Sequence, residues 1–186
     1  MRDDPVFRTL HTITAKLNEL GVAYAVAGGM ALVAHGYDRT TVDVDILVSA
    51  DGLQKIHQKL EGLGYISPFA GSKSIRDTTT KVKIEFLTTG GFPGDGKPKA
   101  IAFPDPIDVS VEIDGIRFLR LQTLIDLKLA SGMTGGVNRL KDLADVVELI
   151  KVLKLPEDFD QRLSAYTRGK FAELWTGVRD SAGDEP

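Results

Sequence analysis

The stretch Thr41-Val42-Asp43-Val44-Asp45-Ile46-Leu47-Val48 decides how this chain is read. Val42, Val44, Ile46 and Val48 alternate with Asp43, Asp45 and Leu47, the period-two pattern of a strand with one buried face. Both carboxylates then leave the strand opposite the valines. Two like charges that close repel, and one gives up its charge unless something neutralises the pair. A divalent cation does so, because hard cations take oxygen ligands. Asp-x-Asp alone is a common pattern, and a solvated strand edge that carries two acids accounts for it equally well.

The residues upstream change that balance. The apolar run 22–27 reads as a buried strand, Gly28-Gly29 as the turn out of it, and 30–34 as a short helix that stops near His35-Gly36. Glycines at such a turn let a ligand approach the backbone, and a helix N-terminus offers free N–H groups to phosphate. A phosphate cradle followed by two metal-binding carboxylates is what phosphoryl or nucleotidyl transfer requires. Downstream, 81–87 is a clear strand, with Val82, Ile84 and Phe86 on one face and Lys81, Lys83, Glu85 and Leu87 on the other. If it lies next to the aspartate strand, Glu85 becomes a third acid beside Asp43 and Asp45. The other reading of Glu85 is an exposed acid paired with Lys83 or with a lysine across the sheet. Arg39 and Lys83 are near the acids and are phosphate or substrate contacts on that reading; Arg39 is equally well a surface residue.

The rest of the chain frames this segment. Asp4-Pro5 opens a helix whose apolar positions are Val6, Leu10, Ile13, Leu17 and Leu20. Leu53, Ile56, Leu60 and Leu63 mark another. Residues 65–80 read as one short strand and a turn, and 88–106, rich in Gly and Pro, as a long surface loop. Asp114-Gly115 between two apolar runs signals a hairpin. Helices follow over 121–131, 140–153 and about 157–175. The expected divisions are a sheet domain over 1–118, a helical region over 119–176 and a flexible tail over 177–186. That order is an α/β (α+β) domain followed by a small helical bundle.

Bulk composition excludes several classes. The chain has 186 residues, 42% of them hydrophobic and 26% charged, enough for a real core. A net charge of -3 gives no general nucleic-acid signal. With no cysteine, disulfides, thiol catalysis and cysteine-zinc sites are excluded. No apolar run reaches bilayer length, and the first residues lack signal-peptide character. A cytoplasmic protein is the expectation.

Ala27-Gly28-Gly29-Met30-Ala31-Leu32, followed by Arg39-Thr40-Thr41-Val42-Asp43-Val44-Asp45, resembles the DNA polymerase β-like nucleotidyltransferase superfamily, and most of all its small bacterial AbiEii-like and minimal members. The resemblance implies a nucleotidyltransferase-fold mixed sheet flanked by helices. It implies that Asp43, Asp45 and Glu85 ligate magnesium in a two-metal site, and that Gly28, Gly29 and the neighbouring Met30 meet the triphosphate. The implied reaction moves NMP from an NTP such as ATP to an acceptor, with release of pyrophosphate. Leu127-Lys128-Leu129-Ala130-Ser131 and Arg139-Leu140-Lys141-Asp142 are similar to a second AbiEii-type pattern. By that likeness Lys128 and Lys141 face the nucleotide and Asp142 orients a basic partner. The bland reading is a solvated helix face with charge pairs. The implied role is the toxin of a toxin–antitoxin pair, with an antitoxin partner and RNA (a tRNA end), a protein or a small molecule as acceptor.

Two residues depart from the superfamily pattern. Met30 stands where many active members have Ser or Thr, and Glu85 where Asp is usual. A catalytically degenerate nucleotide- or partner-binding module is therefore the competing expectation. A hydrolase with water as nucleophile is a third.

Overall fold

The computed structural model describes residues 4–182, which form two compact units. The first comprises 4–34, 39–90 and 104–120; the second comprises 35–38, 91–103 and 121–182.

The first unit contains α1 (Pro5–Glu19), β1 (Tyr24–Ala27), α2 (Gly28–Ala34), β2 (Asp43–Val48), α3 (Ala50–Leu60), β3 (Tyr65–Ile66), β4 (Ser74–Asp77), β5 (Lys83–Thr88), α4 (Pro106–Val109), β6 (Ser110–Ile113) and β7 (Ile116–Leu119). The helix starts follow the residues that make them. Asp4 accepts the Val6 N–H at 2.7 Å, and Pro5 takes the position whose missing N–H costs nothing. Ser49 caps α3 through the Gly52 N–H at 3.0 Å. The Asp114-Gly115 turn has φ of +50° and +79°, the left-handed pair that a tight hairpin needs, and β6 and β7 pair across it.

Seven strands form one sheet in the order β3-β4-β5-β2-β1-β7-β6. The aspartate strand β2 is its centre, antiparallel to β1 and parallel to β5. A parallel pair needs a crossover, supplied here by α3 with β3 and β4. Val26, Val44, Ile46, Ile75, Ile84 and Phe86 are all buried, as are Leu10, Ile13 and Leu17 of α1 and Ile56 and Leu60 of α3.

The structure corrects several expectations. Val42 precedes β2 and is 77% exposed, so the buried face begins at Val44. Leu47, on the carboxylate face, is wholly buried: a central strand is covered on both faces, and the acids sit where that cover ends. Leu63 lies beyond α3 and is exposed. Residues 65–80 hold two short strands instead of one, and α4 was not expected.

The second unit holds α5 (Leu121–Thr134), α6 (Leu140–Leu153) and α7 (Ala165–Ala182), with 3-10 turns at Gly136–Arg139 and Glu157–Arg162. A Cβ on Gly132 would lie 2.5 Å from Leu143 Cγ, so α5 and α6 pack at backbone distance there. Asp126 receives the Ser164 N–H and the Thr167 hydroxyl, which ties the start of α7 to α5. Trp175 donates its indole N–H to the Leu155 carbonyl at 2.8 Å. The expected long loop is ordered by its own contacts: Phe103 N–H to Gly91 O at 2.8 Å, and Lys99 Nζ to Pro93 O at 2.6 Å and Asp95 at 2.7 Å. The sheet unit ends at 120. α7 runs to Ala182, so the expected tail from 177 is helical as far as it is described; 183–186 lie outside the described residues. Among the described residues no helix is long and apolar enough to cross a membrane.

Candidate active site

Strand register builds the site. Ala27 of β1 faces Asp45 of β2, Asp45 faces Glu85 of β5, and Glu85 faces Ser74 of β4. One row away, Asp43 faces Lys83 and Lys83 faces Arg76. Directly opposed residues share a face of the sheet, so both rows present their side chains together. The β2/β5 pairing thus puts Glu85 beside the aspartates. Oxygens of Asp43, Asp45 and Glu85 come within 4.8 Å of one another, and all three residues are half-buried.

The other reading of Glu85 also has a counterpart. Lys83 Nζ lies 2.5 Å from Glu85 Oε2, with both side chains about two-fifths exposed. Glu85 therefore converges with the aspartates and carries a lysine counter-ion.

Gly28 is required twice over. Its φ is +57°, and a Cβ there would fall 1.8 Å from Asp45 Oδ2. Only a residue without a side chain lets the backbone close on that carboxylate. Gly29 meets Thr41 in the same way, with a built Cβ 2.6 Å from Thr41 Oγ1. The Thr41 hydroxyl in turn donates to the Asp43 carbonyl at 3.2 Å and to Asp43 Oδ1 at 3.4 Å. Gly28, Gly29, Thr41, Asp43 and Asp45 form one packed constellation. Thr41 and Ser74 were missed at the sequence level. A hydroxyl two positions before the first acid is the available signal for Thr41; Ser74 carried none, because its row depends on strand pairing.

The other named residues are placed differently. Met30 has a side chain only 2% exposed, so it belongs to the core. Arg39 Nε donates to the Thr40 carbonyl at 3.3 Å. Lys141 is exposed at the start of α6. Lys128 is buried in the second unit, where Nζ donates to Asp142 Oδ1 at 3.0 Å and to Asp145 Oδ2 at 2.7 Å. Ser131 donates to the second Asp142 oxygen at 2.7 Å. Burial pushes the Asp142 carboxyl up, but Lys128, Ser131 and Arg139 outweigh it and hold it below the usual carboxylate range. Asp142 does orient a basic partner, and that partner is Lys128.

No family model and no curated protein matches this chain. Solved structures do. An antigenic nucleotidyltransferase-like protein of Paracoccidioides brasiliensis superposes with a TM-score of 0.61 at 17% identity, covering 97% of this chain and 92% of its own. The antibiotic-resistance factor ANT(2″)-Ia gives 0.56 at 14%, covering 97% and 96%. A candidate nucleotidyltransferase of Thermotoga maritima gives 0.54 at 19%, covering 78% and 96%. The chain has the nucleotidyltransferase fold, with a seven-stranded mixed sheet flanked by helices.

Proposed function

We propose that this chain is a magnesium-dependent nucleotidyltransferase that transfers NMP from an NTP to an acceptor hydroxyl and releases pyrophosphate. The observation that carries the reading is the convergence of Asp43, Asp45 and Glu85 oxygens within 4.8 Å, beside a glycine whose backbone closes on Asp45. Three carboxylates held this close repel, and their oxygens are the ligands a hard divalent cation takes. The residues present fit such an ion, held by Asp43, Asp45 and Glu85. A bound cation neutralises charge on the transferring phosphate and on the attacking and leaving oxygens.

The chain's own residues do the rest. Gly28 and Gly29 let the backbone close on Asp45 and Thr41, and by resemblance the triphosphate lies on their side of the acids. Thr41 fixes Asp43 by its hydroxyl. Glu85 lies on the far side of the pair from the glycines; on this reading it orients the acceptor hydroxyl and accepts its proton. Lys83 holds the Glu85 carboxylate and offsets part of the site's negative charge.

By resemblance, the biological role is that of a cytoplasmic toxin with an antitoxin partner. The antibiotic-resistance factor among the similar folds keeps a small-molecule acceptor in view beside RNA and protein. The test is incubation with each α-labelled NTP, magnesium and a cell extract. Label on an acceptor, lost with EDTA and in Asp43→Ala, is the expected result; no label on any fraction, or label that survives Asp43→Ala, sinks the reading.

One observation favours the second reading, a non-catalytic nucleotide-binding module: Lys83 sits on Glu85 where a cation would bind. NTP binding without transfer of label identifies it.

A further inference from the structure

The row that holds Asp43 continues across β5 and β4 into two cations, Lys83, which is ion-paired to Glu85, and Arg76. Arg76 of β4 and Lys83 of β5 are direct cross-strand partners on the carboxylate face. Like charges directly opposite each other destabilise a strand pair. Neither cation is buried: Arg76 is exposed and Lys83 about two-fifths exposed. Arg76 Nη1 donates to the Lys81 carbonyl at 2.5 Å, which aims the guanidinium along the β4–β5 hairpin, and Lys81 itself adds a third positive charge at that turn. Ser74, opposite Glu85, adds a hydroxyl to the same face.

The order across the sheet gives this patch a direction. From β1 the face runs Gly28, then Asp45 and Asp43, then Glu85 and Lys83, then Ser74 and Arg76. Resting on the transferase reading, the nucleotide's phosphates occupy the glycine side. The acceptor then approaches over Glu85 from the β4 side. Arg76 is two strand spacings from Asp43, about 10 Å. We propose that the acceptor carries a phosphate near its reacting hydroxyl, and that Arg76, helped by Lys83 and Ser74, binds that phosphate: the acceptor is anionic. A guanidinium suits phosphate because its fork makes paired charge-assisted bonds. A polycationic acceptor is disfavoured by the same pair.

The experiment uses the full chain with magnesium and a non-hydrolysable NTP analogue. Three probes separate the sources: a short fluorescent RNA with a free 3′ hydroxyl, glucose 6-phosphate, and the polycation tobramycin. The expected result is binding of RNA or of the sugar phosphate, weakened roughly tenfold in Arg76→Glu. If RNA is the probe that binds, Arg76→Ala lowers the slope of log affinity against log salt by about one. Binding of the NTP analogue stays within about twofold of wild type in both variants, because Arg76 lies on the acceptor side. Binding of neither phosphate probe overturns the proposal, as does binding that Arg76→Glu leaves unchanged, or preference for tobramycin. The transferase reading fails separately, if the analogue does not bind with magnesium or binds equally well in Asp43→Ala.

Discussion

Two clusters of charge in this molecule follow opposite logic. In the sheet unit, Asp43, Asp45 and Glu85 converge half-open to solvent, with Lys83 on one of them. In the helical unit, Lys128 lies between Asp142 and Asp145, with all three buried and Ser131 completing the set. The second cluster is closed and internally answered, and it joins α5 to α6. The first gathers like charges and leaves them accessible. Charge that is compensated and sealed serves the fold, whereas acids gathered on an accessible face are, on the reading proposed above, ligands for a cation.

The contrast breaks first, and with the largest effect, at Asp43. Asp43→Ala should lower NMP transfer by roughly a thousandfold, the several kcal/mol that a bound cation contributes. Its melting temperature should hold or rise, since a repulsive charge is removed. A fall in melting temperature with activity intact would make the acids structural. Lys128→Ala should do the reverse. It strands two buried carboxylates and should cost about 3–5 kcal/mol in denaturant unfolding. A loss under about 1 kcal/mol would remove the distinction between the clusters.

Gly28→Ala sharpens the comparison at a smaller scale. The left-handed backbone costs about 1–2 kcal/mol for any residue with a Cβ, and that Cβ would displace the Asp45 carboxylate. A modest loss of stability should accompany a larger loss of NTP affinity, read by calorimetry. The smallest effect is in pH. Asp142 is held below its ordinary pKa, so its contribution is fully present above the unfolded value of ~3.9 and is lost as pH falls through the folded one. The gap in melting temperature between wild type and Asp142→Asn should therefore begin to narrow below about pH 4, and a gap unchanged down to about pH 2 would contradict the assignment.

Much of this was legible in the chain because it is local. The helix start at Asp4, the Asp114-Gly115 turn and the alternation around Val44 and Ile46 all follow from neighbouring residues. Glu85 was legible only as a possibility, since its role depends on β5 pairing with β2 in one register and not the next. Lys128 was misjudged in its surroundings: its helix is buried on most sides, and helical spacing alone does not tell a buried lysine from an exposed one. Ser74 and Arg76 escaped because their place beside the acids depends on strand pairing. Val42 looked like core because the alternation continues one residue past the strand.

The parallel seam between β2 and β5 also sets when the site comes into being. Asp45 and Glu85 are roughly 40 residues apart along the chain, and pairings of that span form late because a large loop must close first. The three acids meet only once β5 has paired with β2 across the crossover. On the transferase reading, capture of an ion by all three acids would therefore report the β2–β5 pairing and not the longer-range pairing of Val26 with Phe118 between β1 and β7.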